Sequence, residues 1–255
     1  MTAAELARKI RARERCLGYW VMLDAPVATE RLARLGYDYV AIDGQHGLIG
    51  DAGLLSNLIA VDAGGRSVGI VRVASGDPAV IGRALDFGAG GVIVPLVDSP
   101  EDAARAVSAA RYPAGGRRSY GPMRSMLRIG PTPAEADESV LVLAMIETPG
   151  GLAAIEEICA VPGLDGVYVG PSDLCLAVGG RFPNDPEVAG VFEAALERIR
   201  TAAANASIAA GIHNATGEQA ARRLAEGFTF ATVASDLVHL EQAAAAHLKA
   251  ARGES

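Results

Sequence analysis

The amino-acid sequence predicts an α/β fold of the (β/α)8 TIM-barrel class, and three observations support this. The chain has 255 residues, a length that α/β barrels commonly use for one domain. Half of the residues are hydrophobic and 21% are charged, a balance typical of globular and not of disordered chains. Short β-branched runs alternate strictly with helix-forming stretches. A doubly wound open sheet is the alternative, but no GxGxxG follows the first strand.

Eight apolar segments are predicted as strands. Their apolar runs are almost continuous, as in parallel strands that are buried on both faces of the sheet. The predicted strands are 17–24, 37–43, 67–74, 91–97, 139–147, 165–170, 207–212 and 228–234.

The stretches that follow these strands are rich in Ala, Leu, Arg and Glu and are predicted as helices. The predicted helices are 26–35, 51–63, 77–87, 99–111, 150–160, 186–204, 215–226 and 235–251. Two starts combine an N-cap residue with a following proline, at Asp77-Pro78 and Ser99-Pro100. Three ends are marked by glycine, at Gly36, Gly64 and Gly227.

The sequence contains no linker that would divide it, so we expect one barrel domain over 1–255, with an N-terminal helix in 1–16 and a C-terminal helix in 235–251. The longest irregular stretch is 112–138, between the fourth helix and the fifth strand. Irregular stretches of this length in a compact domain are usually functional or mobile.

Composition argues against several classes of protein. The net charge of −7 disfavours nucleic acid as a partner. No run approaches the roughly 18 apolar residues of a membrane span, and the start of the chain lacks the apolar region of a secretory signal. The three cysteines are odd in number and form no CxxC pair. We therefore expect a cytoplasmic protein without a membrane partner.

Polar residues fall at the predicted carboxyl ends of five strands, where barrel enzymes place their chemistry. These residues are Asp43-Gly44-Gln45-His46, Arg72, Glu147, Gly170-Pro171-Ser172-Asp173 and His213-Asn214. Each has a structural interpretation when taken alone: the two aspartates as helix N-caps, the arginine as an ion-pair partner and the first histidine as a structural side chain. Their common position at one rim favours function. Glu147 is the hardest to explain structurally, because an acid after a buried strand needs a partner.

Glu147 and Asp173 follow adjacent strands and together would form a small oxygen-rich site. Carboxylates with water suit Mg²⁺ or Mn²⁺, with Co²⁺ as a further option, whereas zinc prefers His and Cys. The open positions on such a metal suit a bidentate 2-oxo acid, whose keto oxygen the metal would polarise as a Lewis acid.

The remaining rim residues complete this chemistry. Arg72 could pair with the substrate carboxylate or with a developing enolate oxygen. The N–H groups of the Gly170-Pro171-Ser172-Asp173 turn open a helix and could hold an anionic group. His46, oriented by an acid such as Asp43 or Asp86, could move a proton.

The chain has only two lysines, Lys9 and Lys249, and neither lies near a predicted strand end. A Schiff base with a barrel lysine is the second common route to an enolate. The positions of Lys9 and Lys249 exclude the Schiff-base route and leave the metal-dependent route.

Six segments together resemble the HpcH/HpaI aldolase family of metal-dependent class II pyruvate aldolases, over about residues 17–240. They are GYDYVAIDGQHG, IVRVASGDP, ALDFGAGGVIVPLVDSPEDAARAV, ARYPAGGRRSYGP, MIETPGGL and LDGVYVGPSDL, in that order. Each motif alone is modest, but the ordered set is highly specific.

The resemblance implies Glu147 and Asp173 as metal ligands and Arg72 as the arginine that binds pyruvate and steadies its enolate. It implies His46 as the residue that serves as the base through metal-bound water. It implies Asp43 and Asp86 as acids that orient this pair. Gly170, Pro171 and Ser172 would hold the pyruvate carboxylate. It further implies a C-terminal helix swapped between subunits and a homohexamer built as a trimer of dimers.

One departure from the family pattern is Gln45, where the family commonly has Glu before the histidine. The loss of that charge should lower the preference of His46 for its protonated form. The segment 117–130 carries four arginines. It would lie near the mouth of the site and contact an anionic aldehyde, or else form a solvated basic loop.

The predicted function is cleavage or formation of a 4-hydroxy-2-oxo acid, with pyruvate or hydroxypyruvate and an aldehyde as the small-molecule partners. A citrate-lyase-type acyl-CoA ester lyase is the alternative, although the chain lacks an obvious basic extension for the CoA nucleotide. A non-catalytic barrel is the third hypothesis, and the complete set of acid, Arg and His argues against it.

Overall fold

The computed structural model describes residues 1–253, and in them eight parallel strands close into a barrel in chain order. The strands are β1 (Cys16–Val21), β2 (Tyr39–Asp43), β3 (Val68–Arg72), β4 (Gly91–Val94), β5 (Leu141–Ile146), β6 (Gly166–Val169), β7 (Ala209–Asn214) and β8 (Phe230–Ser235). The predicted (β/α)8 barrel is therefore confirmed. The last two residues of the predicted domain lie outside the described residues.

Twelve α-helices are described in residues 1–253. They are α1 (Ala3–Arg11), α2 (Pro26–Leu32), α3 (Asp51–Gly64), α4 (Pro78–Asp86), α5 (Pro100–Ala110), α6 (Pro133–Ser139), α7 (Pro149–Ala153), α8 (Ile155–Cys159), α9 (Pro171–Ala177), α10 (Ala189–Asn205), α11 (Gly217–Ala225) and α12 (Asp236–Ala251). Two of them, α6 and α9, were not predicted, and α6 lies in the stretch expected to be irregular. The helix predicted over 150–160 is divided at Ala154 into α7 and α8.

The two predicted N-cap starts are confirmed, whereas two of the three predicted glycine ends are displaced, since α2 already ends at Leu32, before Gly36. The Asp77 carboxylate accepts a hydrogen bond from the Ala79 N–H at 2.7 Å, and the Ser99 hydroxyl accepts one from the Asp102 N–H at 3.2 Å. Helix α3 continues through Gly64, and Gly65 takes the left-handed φ of 76° that ends it.

Helix α1 closes the amino end of the barrel. Its apolar face buries Leu6, Ala7 and Ile10, and Arg11 pairs at 2.6 Å with Asp165, the residue before β6. Only the carboxyl end of the barrel is left open for a site.

The barrel interior is filled by side chains, with an aromatic layer below the open end. The hydroxyls of Tyr39 and Tyr168 both lie 2.7 Å from the Thr232 hydroxyl oxygen. These buried polar atoms therefore satisfy one another, and they form a rigid floor beneath the carboxyl ends of the strands.

The last helix leaves the barrel surface. Within residues 1–253, no residue of α12 is buried, and its leucines Leu240 and Leu248 are 60% and 53% exposed. A hydrogen bond of 2.8 Å between Tyr19 Oη and His239 Nδ1 joins the start of α12 to β1. No helix in the described part of the chain is both long and apolar enough to cross a membrane.

Candidate active site

Asp43 and Arg72 form a buried ion pair at the carboxyl ends of β2 and β3. They are directly paired in the sheet register, so both side chains point into the barrel. Arg72 donates from Nε to Asp43 Oδ1 at 2.9 Å and from Nη2 to Oδ2 at 2.5 Å. Asp43 is fully buried and Arg72 is 7% exposed. This bidentate geometry fixes the guanidinium plane at the mouth.

Asp43 also organises the turn that follows β2. Its Oδ1 accepts hydrogen bonds from the backbone N–H groups of Gln45 and His46 at 3.0 and 3.1 Å. Burial acts to raise the pKa of Asp43, but the hydrogen bonds and charge of Arg72, together with these N–H groups, outweigh it and lower the pKa. The Asp43 carboxylate thus holds both Arg72 and the backbone of His46, and His46 is exposed at the rim.

Trp20 completes the packing around Arg72. Its indole N–H donates to Asp43 Oδ2 at 3.2 Å, and the Arg72 guanidinium carbon lies 5.1 Å from the centre of its ring. A cation over an indole face is attracted by the ring quadrupole. Trp20 was not among the predicted site residues. Alternate residues of a strand point to the same side, so Trp20 shares the inward-facing side of β1 with Gly18. This position near the carboxyl end of β1 could have identified Trp20 as a site residue.

Glu147 follows β5 directly, and its side chain is 3% exposed. Its Oε1 accepts a hydrogen bond from the Leu96 N–H at 3.0 Å. Its Oε2 is buried and has no hydrogen-bond partner in the described chain. Burial raises the pKa of Glu147, the nearby charge of Asp173 raises it further, and the Leu96 N–H opposes the rise. Such a buried acceptor is costly unless something binds it.

The turn after β6 lies against Glu147. A Cβ at Gly170 would overlap Glu147 Oε2 and lie 2.5 Å from Met145 Cε, so a larger residue there would displace the Glu147 carboxylate. Helix α9 begins one residue later at Pro171, and the N–H groups of Ser172 and Asp173 lie in its first turn. Helix geometry gives such N–H groups no acceptor within the helix. The exposed Asp173 carboxylate lies close enough to Glu147 to affect its pKa.

These residues fit a divalent cation of the Mg²⁺ type. No group of three or more His, Cys, Asp or Glu side chains suited to a metal occurs in residues 1–253. Glu147 and Asp173 would therefore supply two oxygens and leave the other positions to substrate and water, which is the usual arrangement for Mg²⁺. The unpartnered Oε2 and the space kept by Gly170 are the features that a bound cation would explain.

The structure does not bring Asp86 to His46 within one chain. Helix α4 runs back along the barrel from the end of β3, so it carries Asp86, its last residue, to the amino end. There Asp86 accepts a hydrogen bond from Arg118 Nη2 at 3.0 Å. Within one chain, Asp43 is the predicted acid that contacts the turn of His46.

The arginines of 117–130 also lie away from the mouth of their own barrel. Arg124 and Arg128 both pair with Asp62 in the last turn of α3. The side chain of Arg118 is 1% exposed, and its guanidinium carbon lies 4.7 Å from the centre of the Tyr112 ring. Three of the four arginines are therefore engaged by the chain itself.

The residue that distinguishes this sequence beside His46, Gln45, is half-buried. Its side-chain Oε1 is buried without a hydrogen-bond partner in residues 1–253. The neutral amide places no negative charge beside the rim histidine.

Comparison with known proteins gives one consistent result. The family model described as HpcH/HpaI aldolase/citrate lyase matches residues 16–243. A hydroxypyruvate/pyruvate aldolase from Rhizorhabdus wittichii is 43% identical over 229 residues, which are 89% of this chain and 90% of that protein. A 4-hydroxy-2-oxovalerate aldolase from Rhodococcus jostii is 37% identical, with 86% of this chain and 85% of that protein covered.

The solved structures agree with the sequence relatives. An HpcH/HpaI aldolase/citrate lyase family protein from Burkholderia cenocepacia superposes with a TM-score of 0.88 at 31% identity. The superposition covers 98% of this chain and 99% of that one.

Proposed function

The chain belongs to the HpcH/HpaI aldolase/citrate lyase family and is a carbon–carbon lyase of the aldolase type, and we propose that it cleaves or forms a 4-hydroxy-2-oxo acid with the help of a divalent cation. The products of cleavage would be pyruvate or hydroxypyruvate and an aldehyde. The name of the Rhizorhabdus wittichii relative, a hydroxypyruvate/pyruvate aldolase, supports a 2-oxo acid of this size.

The observation that carries the proposal is Glu147 Oε2, a buried carboxylate oxygen without a partner in the described residues. We propose that Glu147 and Asp173 hold Mg²⁺ or Mn²⁺, with Co²⁺ as a further candidate. When bound, the cation supplies Lewis-acid polarisation of a keto oxygen.

The chain's own residues would perform the other steps. The first-turn N–H groups of Ser172 and Asp173 would bind the substrate carboxylate, beside Gly170 and Pro171. Arg72, with Nε and Nη2 already engaged by Asp43, would offer Nη1 to the oxygen at C2 as that oxygen gains negative charge.

His46 would take the proton from the 4-hydroxyl oxygen. The C3–C4 bond then breaks, the aldehyde leaves, and the electron pair remains as the enolate of the 2-oxo acid. The enolate then takes up a proton at C3 and His46 gives up the proton that it accepted, so the 2-oxo acid forms and the base is restored. Because the backbone of His46 is held by Asp43, the general base and the arginine share one anchor.

An aldehyde panel with pyruvate or hydroxypyruvate, run with and without chelator, tests the proposal. We expect aldol product with some aldehydes, its loss after chelation and its recovery with Mg²⁺ or Mn²⁺. Full activity in chelator, or product with no member of the panel, would overturn the proposal.

We also propose that α12 packs on another copy of the chain in a hexamer built as a trimer of dimers. The support is that its leucines are exposed in the described chain, although a barrel's last helix ordinarily covers its own strands. Truncation after Gln242 should reduce the number of subunits per particle, obtained from the mass measured by light scattering. An unchanged number of subunits would contradict the proposal.

A further inference from the structure

His213 brings a second histidine into the mouth of the barrel. It pairs in register with Thr232 of the interior layer, so its ring also points inward. The ring meets Trp20 edge to face, with centres 5.2 Å apart and planes at 72°. Val169 and Ile212 are the last paired residues of β6 and β7, so Gly170 and His213 are neighbours one step further on.

The His213 ring has hydrogen-bonding capacity that the protein does not use. Nδ1 is buried and has no partner in residues 1–253. Nε2 is not among the buried atoms without a partner, so Nε2 is the ring nitrogen that a ligand can reach. The ring lines a cavity of about 430 Å³ that also includes Pro171 and Ser172 of the proposed carboxylate-binding turn.

The charge state of His213 limits the chemistry of its ligand. Burial lowers the pKa of His213 to about 4, the nearby charge of Arg72 lowers it as well, and Asp43 opposes the change. The ring is therefore neutral near pH 7, with one nitrogen that donates and one that accepts. A hydroxyl group both donates and accepts and so suits either tautomer, whereas an anionic group would be better served by a cation.

We propose that His213 is a specificity-determining residue that hydrogen-bonds a hydroxyl group of the substrate, beside the turn proposed to bind the substrate carboxylate. This inference rests on the proposed aldolase function. A site that presents a polar group for a substrate hydroxyl discriminates against the analogue that lacks it, since the polar group is then left unpaired. The enzyme would therefore favour hydroxylated substrates over their deoxy analogues.

The hydroxyl group that His213 binds could belong to the 2-oxo acid or to the aldehyde, and two substrate pairs distinguish these two cases. Hydroxypyruvate and pyruvate differ only in the hydroxyl at C3 of the 2-oxo acid. Glycolaldehyde and propanal differ in having a hydroxyl or a methyl group next to the aldehyde carbon. We would measure kcat/KM for both pairs in the Mg²⁺-loaded wild type and in His213→Leu, His213→Asn and Asn205→Leu.

We expect His213→Leu to reduce the preference for the hydroxylated member of one pair at least tenfold, and His213→Asn, which keeps a hydrogen-bonding side chain, to restore much of it. The pair that responds identifies which substrate carries the hydroxyl. Asn205→Leu is the control, because Asn205 is exposed at the end of α10, at the amino end of the barrel, and it should change neither ratio.

Ratios within twofold of the wild type in His213→Leu would overturn the inference. If that variant does not fold, His213→Asn and the wild type still decide the question: a wild type that prefers neither hydroxylated substrate contradicts it. Exchange of the pyruvate methyl protons in deuterated water by the wild type reports the proposed function separately. Absence of that exchange in the wild type would refute the proposed aldolase function. Exchange by the wild type together with unchanged kcat/KM ratios in His213→Leu would refute only the role of His213.

Discussion

Replacement of Glu147 by glutamine should stabilise the metal-free protein while removing its response to metal. The substitution keeps the shape of the side chain and leaves an amide oxygen to accept the Leu96 N–H, a bond that measures 3.0 Å in the wild type. It removes a negative charge from a side chain that is 3% exposed. In the wild type, Oε2 lies there without a hydrogen-bond partner in the described residues.

The magnitude follows from the cost of that unpartnered oxygen. A buried polar group without a partner costs about 1–3 kcal/mol, and the amide NH₂ that replaces Oε2 recovers only part of this. We expect a gain of ~1 kcal/mol, or ~2–4 °C in Tm for a chain of this size. With Mg²⁺ at ~100 times its Kd, the wild type should gain ~2.7 kcal/mol and the variant nothing. The order of the two Tm values should therefore reverse.

The pH dependence has a defined sign. The pKa of Glu147 is raised in the folded protein, chiefly by burial. The folded state therefore binds the proton more tightly, and the cost of ionisation is absent below the unfolded pKa and develops as pH rises through the folded one. The advantage of the glutamine variant in chelator should be larger at pH 8 than at pH 4. The metal-induced shift of the wild type should also be larger at pH 8, because the cation needs the ionised carboxylate.

Thermal unfolding at both pH values, in chelator and in Mg²⁺, measures all of these effects. Glu157→Gln is the matched control, because Glu157 is exposed on α8 and its substitution should change neither condition. A Glu147→Gln protein that is less stable than the wild type in chelator, yet gains as much from Mg²⁺, would refute the reasoning.

Three further predictions test neighbouring residues. Gly170→Ala should remove the Mg²⁺-induced Tm shift, because the new Cβ would overlap Glu147 Oε2; an unchanged shift would contradict the crowding argument. Arg72→Ala should slow exchange of the pyruvate methyl protons, measured by NMR, by about 10²–10³-fold, and should lower the Tm because it leaves Asp43 buried without its cation; exchange at the wild-type rate would exclude Arg72 from the enolate site. Borohydride with pyruvate should not inactivate the enzyme or add mass to it, since neither lysine lies at a strand end; a covalent adduct would contradict the metal-dependent route.

The strand ends could be predicted from the sequence because they depend on local pattern and on barrel topology. Continuous apolar runs located all eight strands, and the residue after each run then fell at the open rim. This is why Asp43, Arg72 and Glu147 lie at the mouth as expected. The short helices α6 and α9 were missed because seven residues give too little periodicity to identify a helix.

Other features depend on contacts between distant segments, which local pattern does not contain. Asp86 was expected to orient His46, and within one chain its place at the end of α4 brings it instead to Arg118; its role toward the His46 of another copy stays a prediction. Leu96 contributes through its backbone N–H alone, so its side chain carried no signal. The inward direction of His213 required the register of β7 against β8. Contacts between distant segments therefore decided the roles of these residues, and residue type did not.

The central claim is that the carboxylates of Glu147 and Asp173 together hold a divalent cation that the 2-oxo acid also contacts. Crystals grown with Mn²⁺ and pyruvate, measured at the manganese absorption edge, test it directly. We predict one anomalous peak within coordination distance of both carboxylates, with the carboxylate of pyruvate against the turn that begins at Gly170. A peak elsewhere, or pyruvate bound at this turn with no cation between the two acids, would contradict the claim.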